Sequence, residues 1–188
     1  MMRRLYLPAL ALGVITLIAY APVILHGGFI WDDDSYVTGN DLLTAPDGLS
    51  RIWLHPRDSP QFYPLVFTTF RIEHALWGFN PRGYHVMNVI LHALSAAILW
   101  RVLLRLGLRG AWLAAAVFAV HPMQVESVAW ITERKNTLSA LFWLLSLAAY
   151  LRFAGIGISN RRGDGAIHWY VTALVLFVCA LLSKTPAR

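Results

Sequence analysis

Three aspartates in a row, Asp32, Asp33 and Asp34, sit between the apolar stretches Phe29-Ile30-Trp31 and Tyr36-Val37. A carboxylate held in such a place can serve as a general base. The plainer reading is a solvated exit from the apolar run that precedes it. A second group lies in "HPMQVESVAWITERK", His121 to Lys135. Glu126, Trp130 and Arg134 fall at i, i+4 and i+8, which predicts one helical face. That face carries either a helical ion pair worth about 0.3–0.5 kcal/mol or a cationic site. In the second case Arg134 grips a lipid phosphate with Lys135 nearby. Lys184 in "LLSKT" ends another apolar run, and either snorkels or joins that site. His85, Asn88 and His92, at i, i+3 and i+7, read as a stripe that packs helix to helix rather than as ligands. The histidines are scattered and none pairs with the single cysteine in a ligand pattern, so neither a metal nor a cofactor is expected.

The elements that must position these groups are set by composition. Hydrophobic residues make up 57% of the chain and charged residues 14%, against about 45–50% and about 25% in soluble domains. Mean hydropathy is +0.54. The chain reads as an all-α integral membrane protein, one unit over 1–188. The net charge of +6 fits cytoplasmic flanks and an anionic lipid surface better than nucleic acid, which is not expected as a partner. Cys179 stands alone, so there is no disulfide framework, and no N-x-[ST] sequon occurs.

A spanning helix needs roughly 20 apolar residues. Apolar runs predict about five spans, near 5–25, 83–100, 111–125, 136–151 and 167–183. The first could be a signal peptide with Ala19-Tyr20-Ala21 as its cleavage motif. Its run continues past that motif, so an uncleaved anchor is expected. The long loop 27–82 carries two amphipathic segments, "DLLTAPDGLSRIW" and "YPLVFTTFRIEHALWGF", which predict helices lying in the interface. The 16 basic residues divide equally between the two sides. Those in short loops (Arg3, Arg4, Arg101, Arg105, Arg109, Arg152, Arg161 and Arg162) put the N-terminus in the cytoplasm. Among the acids only Asp164 then falls inside. No internal repeat is present.

The strings "FIWDDDSYVTGN", "FYPLVFTTFRIEHALWGFNPRGYHVMNVILHAL", "AVFAVHPMQVESVAWITERKNTLSALFWLLSLAAYLRF" and "LLSKT", in this order, resemble the transmembrane and tetratricopeptide-repeat glycosyltransferases. The string HPxxxESVAWxxERK is the specific part. The resemblance implies a partial GT-C fold. It also implies an enzyme that moves a hexose, mannose-like, from a polyprenyl-phosphate donor to a protein or glycan acceptor outside the membrane. By that resemblance Asp32 is the base, Asp33 orients the acceptor or tunes its partner, and Asp34 has no role. Arg134, Lys135 and Lys184 hold the donor's lipid phosphate, and His121, Glu126, Trp130 and Tyr63 line the pocket. The implied mechanism is a single inverting displacement with no obligatory metal. Relatives carry more spans and then repeats, so the chain is expected to be an N-terminal portion, inactive alone. A bacterial inner membrane is the expected setting. Two other classes stay open, a transporter or channel fragment and an assembly subunit without chemistry. Charges at the outer ends of spans, rather than at the midplane, favour the enzyme.

Overall fold

The computed structural model describes residues 3–157 and 166–184. The charges at Arg161, Arg162, Asp164 and Arg188 lie outside the described residues. All regular structure among the described residues is helical. Helix α1 (Arg3–His26) holds no acid, lysine or arginine after its first turn. Helix α4 (Pro81–Arg105) begins with Pro81 in its first turn, where the missing N–H costs nothing, and Asn80 accepts from the Arg82 amide as N-cap. These two are long and apolar enough to cross a membrane.

The expected third span, 111–125, is not one helix. Helix α5 (Ala111–Val120) has 10 residues, about 15 Å of rise. It stops because Pro122 disfavours helical backbone at the preceding residue, and His121 is extended at ψ 132. A 3₁₀ turn (Pro122–Gln124) and the single turn α6 (Val125–Ala129) follow. The chain turns through Trp130–Glu133 before α7 (Arg134–Phe153). This break overturns the expected face of Glu126, Trp130 and Arg134. Glu126 ends exposed and Arg134 fully buried, so no ion pair joins them. Helix α8 (Ala166–Ser183) is the last among the described residues.

Helix α4 is the hub, packed against α1, α5 and α7, while α8 lies along α7. The C-terminus of α1, the N-termini of α4 and α7 and the C-terminus of α8 share one end of the bundle. Contacts from Gly27 to His85 and from Asn136 to Lys184 fix that end. Arg105 meets Ile156 at the other end.

The segment between α1 and α4 is a cap with its own core. It contains a π-helical turn (Asp34–Thr38), a 3₁₀ turn (Asp41–Leu43), α2 (Gly48–Leu54) and α3 (Pro64–Trp77). Tyr36, Val37, Leu42, Ile52, Val66, Phe67 and Phe70 pack with Tyr84, Ile131 and Leu138 of the bundle. A Cβ at Gly48 would lie 2.1 Å from the Leu42 carbonyl, so only glycine lets α2 approach there. The segment 41–53, expected as one helix, is broken at 44–47 into the 3₁₀ turn and α2; it and α3 fold onto the bundle, and Ile72 and Leu76 remain on the outer side of α3.

Under the cap Arg134 is fully buried. Its Nε donates to Asn88 Oδ1, one terminal nitrogen to Glu73 Oε1 and Thr69 Oγ1, and the other to Glu73 Oε2 and the Tyr84 carbonyl. A guanidinium has five N–H donors, and all five are occupied. Phe70 covers its face at 5.0 Å. Burial pushes the Glu73 carboxyl above its ordinary range, against the pull of Arg134. Substituting Arg134→Ala strands a buried carboxylate. It is expected to cost about 3–5 kcal/mol, read as a fall in Tm in detergent micelles. The double variant Glu73→Leu/Arg134→Met should recover part of that loss.

Candidate active site

The shared end of the bundle brings together parts of all three charged clusters. The chain leaves α1 and makes a tight turn, in which the Asp33 amide donates to the Ile30 carbonyl at 3.0 Å. The Ile30 amide donates back to Asp33 Oδ2 at 2.9 Å. Asp33 Oδ1 accepts from the Thr132 amide at 2.8 Å and from the Thr132 hydroxyl at 2.6 Å. Asp33 and Thr132 are both fully buried. The Asp33 carboxylate therefore latches this turn to the turn that opens α7. Three donors thus satisfy both oxygens of this buried side chain.

The two central residues of the latched turn face outward. Trp31 has φ 48, the sole positive φ outside glycine among the described residues. Such backbone costs an L-residue about 1–2 kcal/mol. Its indole meets that of Trp130 edge to face, with centroids 5.0 Å apart. Asp32 is exposed, and its carboxylate has no hydrogen bond or ion pair to any described residue. The backbone carbonyl of Asp32 accepts from the Ser35 hydroxyl and the Tyr36 amide, which holds the turn on its far side. Asp34 is also exposed.

Beside Asp32 lies the phenol of Tyr36, and two lysines sit at the same end of the bundle. Tyr36 is buried and stacked on Phe67 at 5.3 Å. Burial, with Tyr63, Asp32 and Glu133 nearby, pushes its phenol up to about 12, so it stays protonated at neutral pH. Lys135 pairs with Glu133 at 2.7 Å. Its ammonium sits 5.7 Å from the Tyr36 ring centre and 5.9 Å from that of Trp130. Asn136 donates to Glu133 and to Ser127, and accepts from Lys184. Lys184 is exposed and has no carboxylate partner among the described residues.

The residues expected at this site thus separate. Asp32, Lys135, Lys184, Trp130 and the buried Tyr63 lie at one end of the bundle, linked through Tyr36, Glu133 and Asn136. Arg134 does not join them as an open cation, since none of its donors is left for a phosphate. Asp33 faces inward and has no oxygen free to orient an acceptor. His121 is exposed, and its Nδ1 accepts only from the Met123 amide. Neither His121 nor Glu126 bonds to the Asp32 turn. Asn88 donates to the Trp130 carbonyl, and His92 bonds the Ala119 carbonyl. Asn88 and His92 of the polar stripe on α4 therefore tie that helix to the chain around it. Among the described residues no three His, Cys, Asp or Glu side chains converge on one point.

Sequence reading missed Glu73, Thr132, Glu133, Asn136 and Trp31. For Glu73 a signal existed. It shares the face of Val66, Phe70 and Trp77 on α3, and an acid on an apolar face demands a cation.

The sequence profile of the dolichyl-phosphate-mannose-protein mannosyltransferase family matches residues 55–187, well over half of the chain. The chain belongs to this family. Within the mannosyltransferase family it is similar to Protein O-mannosyl-transferase TMTC4 of Homo sapiens, at 30% identity over 93% of this chain and 27% of the relative. It is also similar to Protein O-mannosyl-transferase TMTC2 of Mus musculus, at 31% over 85% and 20%. Protein O-mannosyl-transferase TMTC3 of Homo sapiens matches at 30% over 84% and 18%. These matches bear out the resemblance to the transmembrane and tetratricopeptide-repeat glycosyltransferases. The chain spans about a quarter or less of the length of these relatives. No solved structure matches it. Family membership and the two long apolar helices make this an integral membrane protein.

The latch generates a test. Thr132→Val keeps the shape and removes the hydroxyl donor to Asp33. It should cost about 1.5–3 kcal/mol, the worth of a hydrogen bond to a charged group, seen as a lower Tm. Thr132→Ser should stay close to wild type.

Proposed function

We propose that this chain carries the catalytic end of a glycosyltransferase that moves a mannose-like hexose from a polyprenyl-phosphate donor to an acceptor hydroxyl. The observation that carries the reading is Asp32, an exposed carboxylate without a partner among the described residues, held in the turn that Asp33 latches, at the same end of the bundle as Lys184. Asp32 accepts the proton of the acceptor hydroxyl. The hydroxyl oxygen attacks the anomeric carbon, the bond from that carbon to the phosphate oxygen breaks, and the configuration inverts. The leaving polyprenyl phosphate gains charge in the transition state, where a fixed cation stabilises it most. Lys184, with no acid partner among the described residues, takes that role. Lys135 supports it, with its charge partly offset by Glu133.

The names of the relatives support a protein acceptor and a mannosyl group. With the N-terminus in the cytoplasm, α1 delivers Asp32 to the outer face. The setting we assign is a bacterial inner membrane. A transporter reading is weaker here. Arg134 and Glu73 neutralise each other in a closed network, which leaves that buried pair unavailable to a passing ion.

The test is transfer of radiolabelled hexose from polyprenyl-phosphate donors by the full-length protein in membranes. Asp32→Asn should lower kcat by about 10²–10⁴-fold, the usual weight of a general base, with Tm unchanged. Lys184→Gln should weaken donor use while acceptor KM holds. Full activity in Asp32→Asn would place the base elsewhere.

A further inference from the structure

Trp31 has no part in the mechanism above, yet the fold holds it in a costly way. Its backbone is left-handed at φ 48, a conformation that bulky residues avoid. The turn that forces this is closed at both ends, by the Asp33 amide on the Ile30 carbonyl and by the Ile30 amide on Asp33. Asp33 is in turn fixed by Thr132. The outcome is an indole that is 74% exposed, one residue from the free carboxylate of Asp32. Strain retained at an over-determined position points to function.

The contact with Trp130 leaves the ring usable. The two ring planes stand 79° apart, so the edge of one meets the face of the other. In either sense at least one face of the Trp31 indole stays open. That face is electron-rich. A pyranose offers the complementary surface, a patch of polarised C–H groups, with hydroxyls at its rim that donate to a carboxylate. A membrane-belt tryptophan needs only depth in the interface, and works equally well from an unstrained backbone.

We infer that Trp31 is the stacking platform for the hexose, with the adjacent Asp32 carboxylate at the sugar's rim. The inference rests on the glycosyltransferase reading and adds to it the surface that grips the sugar. The hexose is that of the lipid-linked donor; a sugar on the acceptor has the same chemistry, and the test separates the two.

The experiment is steady-state transfer by the full-length protein in membranes, with donor and acceptor varied in turn. Trp31→Asn removes the ring and tolerates left-handed backbone, so it should fold with wild-type Tm. Its KM for the donor should rise about tenfold, the scale of one aromatic contact. Trp31→Phe keeps a stacking face and should stay within about threefold of wild type on that same scale. Trp31→Leu keeps the apolar character that an interfacial anchor needs, and should behave like Trp31→Asn. A rise confined to acceptor KM would overturn the donor assignment and move the platform to an acceptor sugar. Wild-type kinetics in both Trp31→Asn and Trp31→Leu would overturn the platform and leave the glycosyltransferase reading standing. Wild type that transfers no hexose from any polyprenyl-phosphate donor would overturn both.

Discussion

The rest of the fold depends on one buried ion pair, Arg134 with Glu73. Taking both charges out of water is costly, and a low-dielectric interior returns that cost only when the geometry is complete. Here it is complete. Glu73 supplies two oxygens from α3, and Asn88 and the Tyr84 carbonyl supply two more from α4. The pair therefore fixes three things together, the seat of the cap, the height of α4 beneath it and the first residue of α7. The turn before α7 inherits its position from Arg134, and that turn holds Asp33. A charge network with no open donor thus sets the place of the turn that carries Asp32.

The triplet of aspartates shows how position divides labour among identical side chains. Asp33 accepts three hydrogen bonds and is lost to solvent. Asp32 and Asp34 flank it and are exposed, but only Asp32 shares the latched turn with Trp31. Asp34 opens the π-helical turn instead. The same division holds for the cations. Arg134 is planar and rich in donors, which suits a closed network. Lys184 is a point charge on a flexible stem, which suits a mobile anion.

Much of this was legible in the sequence, and the physical signals explain which parts. Long uncharged runs mark α1 and α4 because crossing a bilayer demands them. The helical character of 64–77 follows from its apolar spacing. Pro122 marks the end of α5, yet the apolar residues after it carried the expected span on to Val125. A charge beside apolar residues drew attention to Arg134, but not to its role, since Glu73 lies 61 positions away. No periodic pattern distinguishes Asp32 from Asp33, because adjacent residues of one type differ only through the turn that holds them. The left-handed backbone of Trp31 has no sequence signature at all.

The brevity of α5 bears on the shape of the surrounding lipid. Ten residues rise about half of a hydrocarbon core roughly 30 Å thick. The segment that follows turns away with Met123 and Val125 exposed. A bilayer meeting so short a flank is mismatched to it. It must dimple towards the midplane or be filled by further protein on that side. The boundary of this bundle is therefore lopsided. It is tall along α1 and α4 and shallow beside α5, so the flank of α5 is where lipid and protein must adjust to each other.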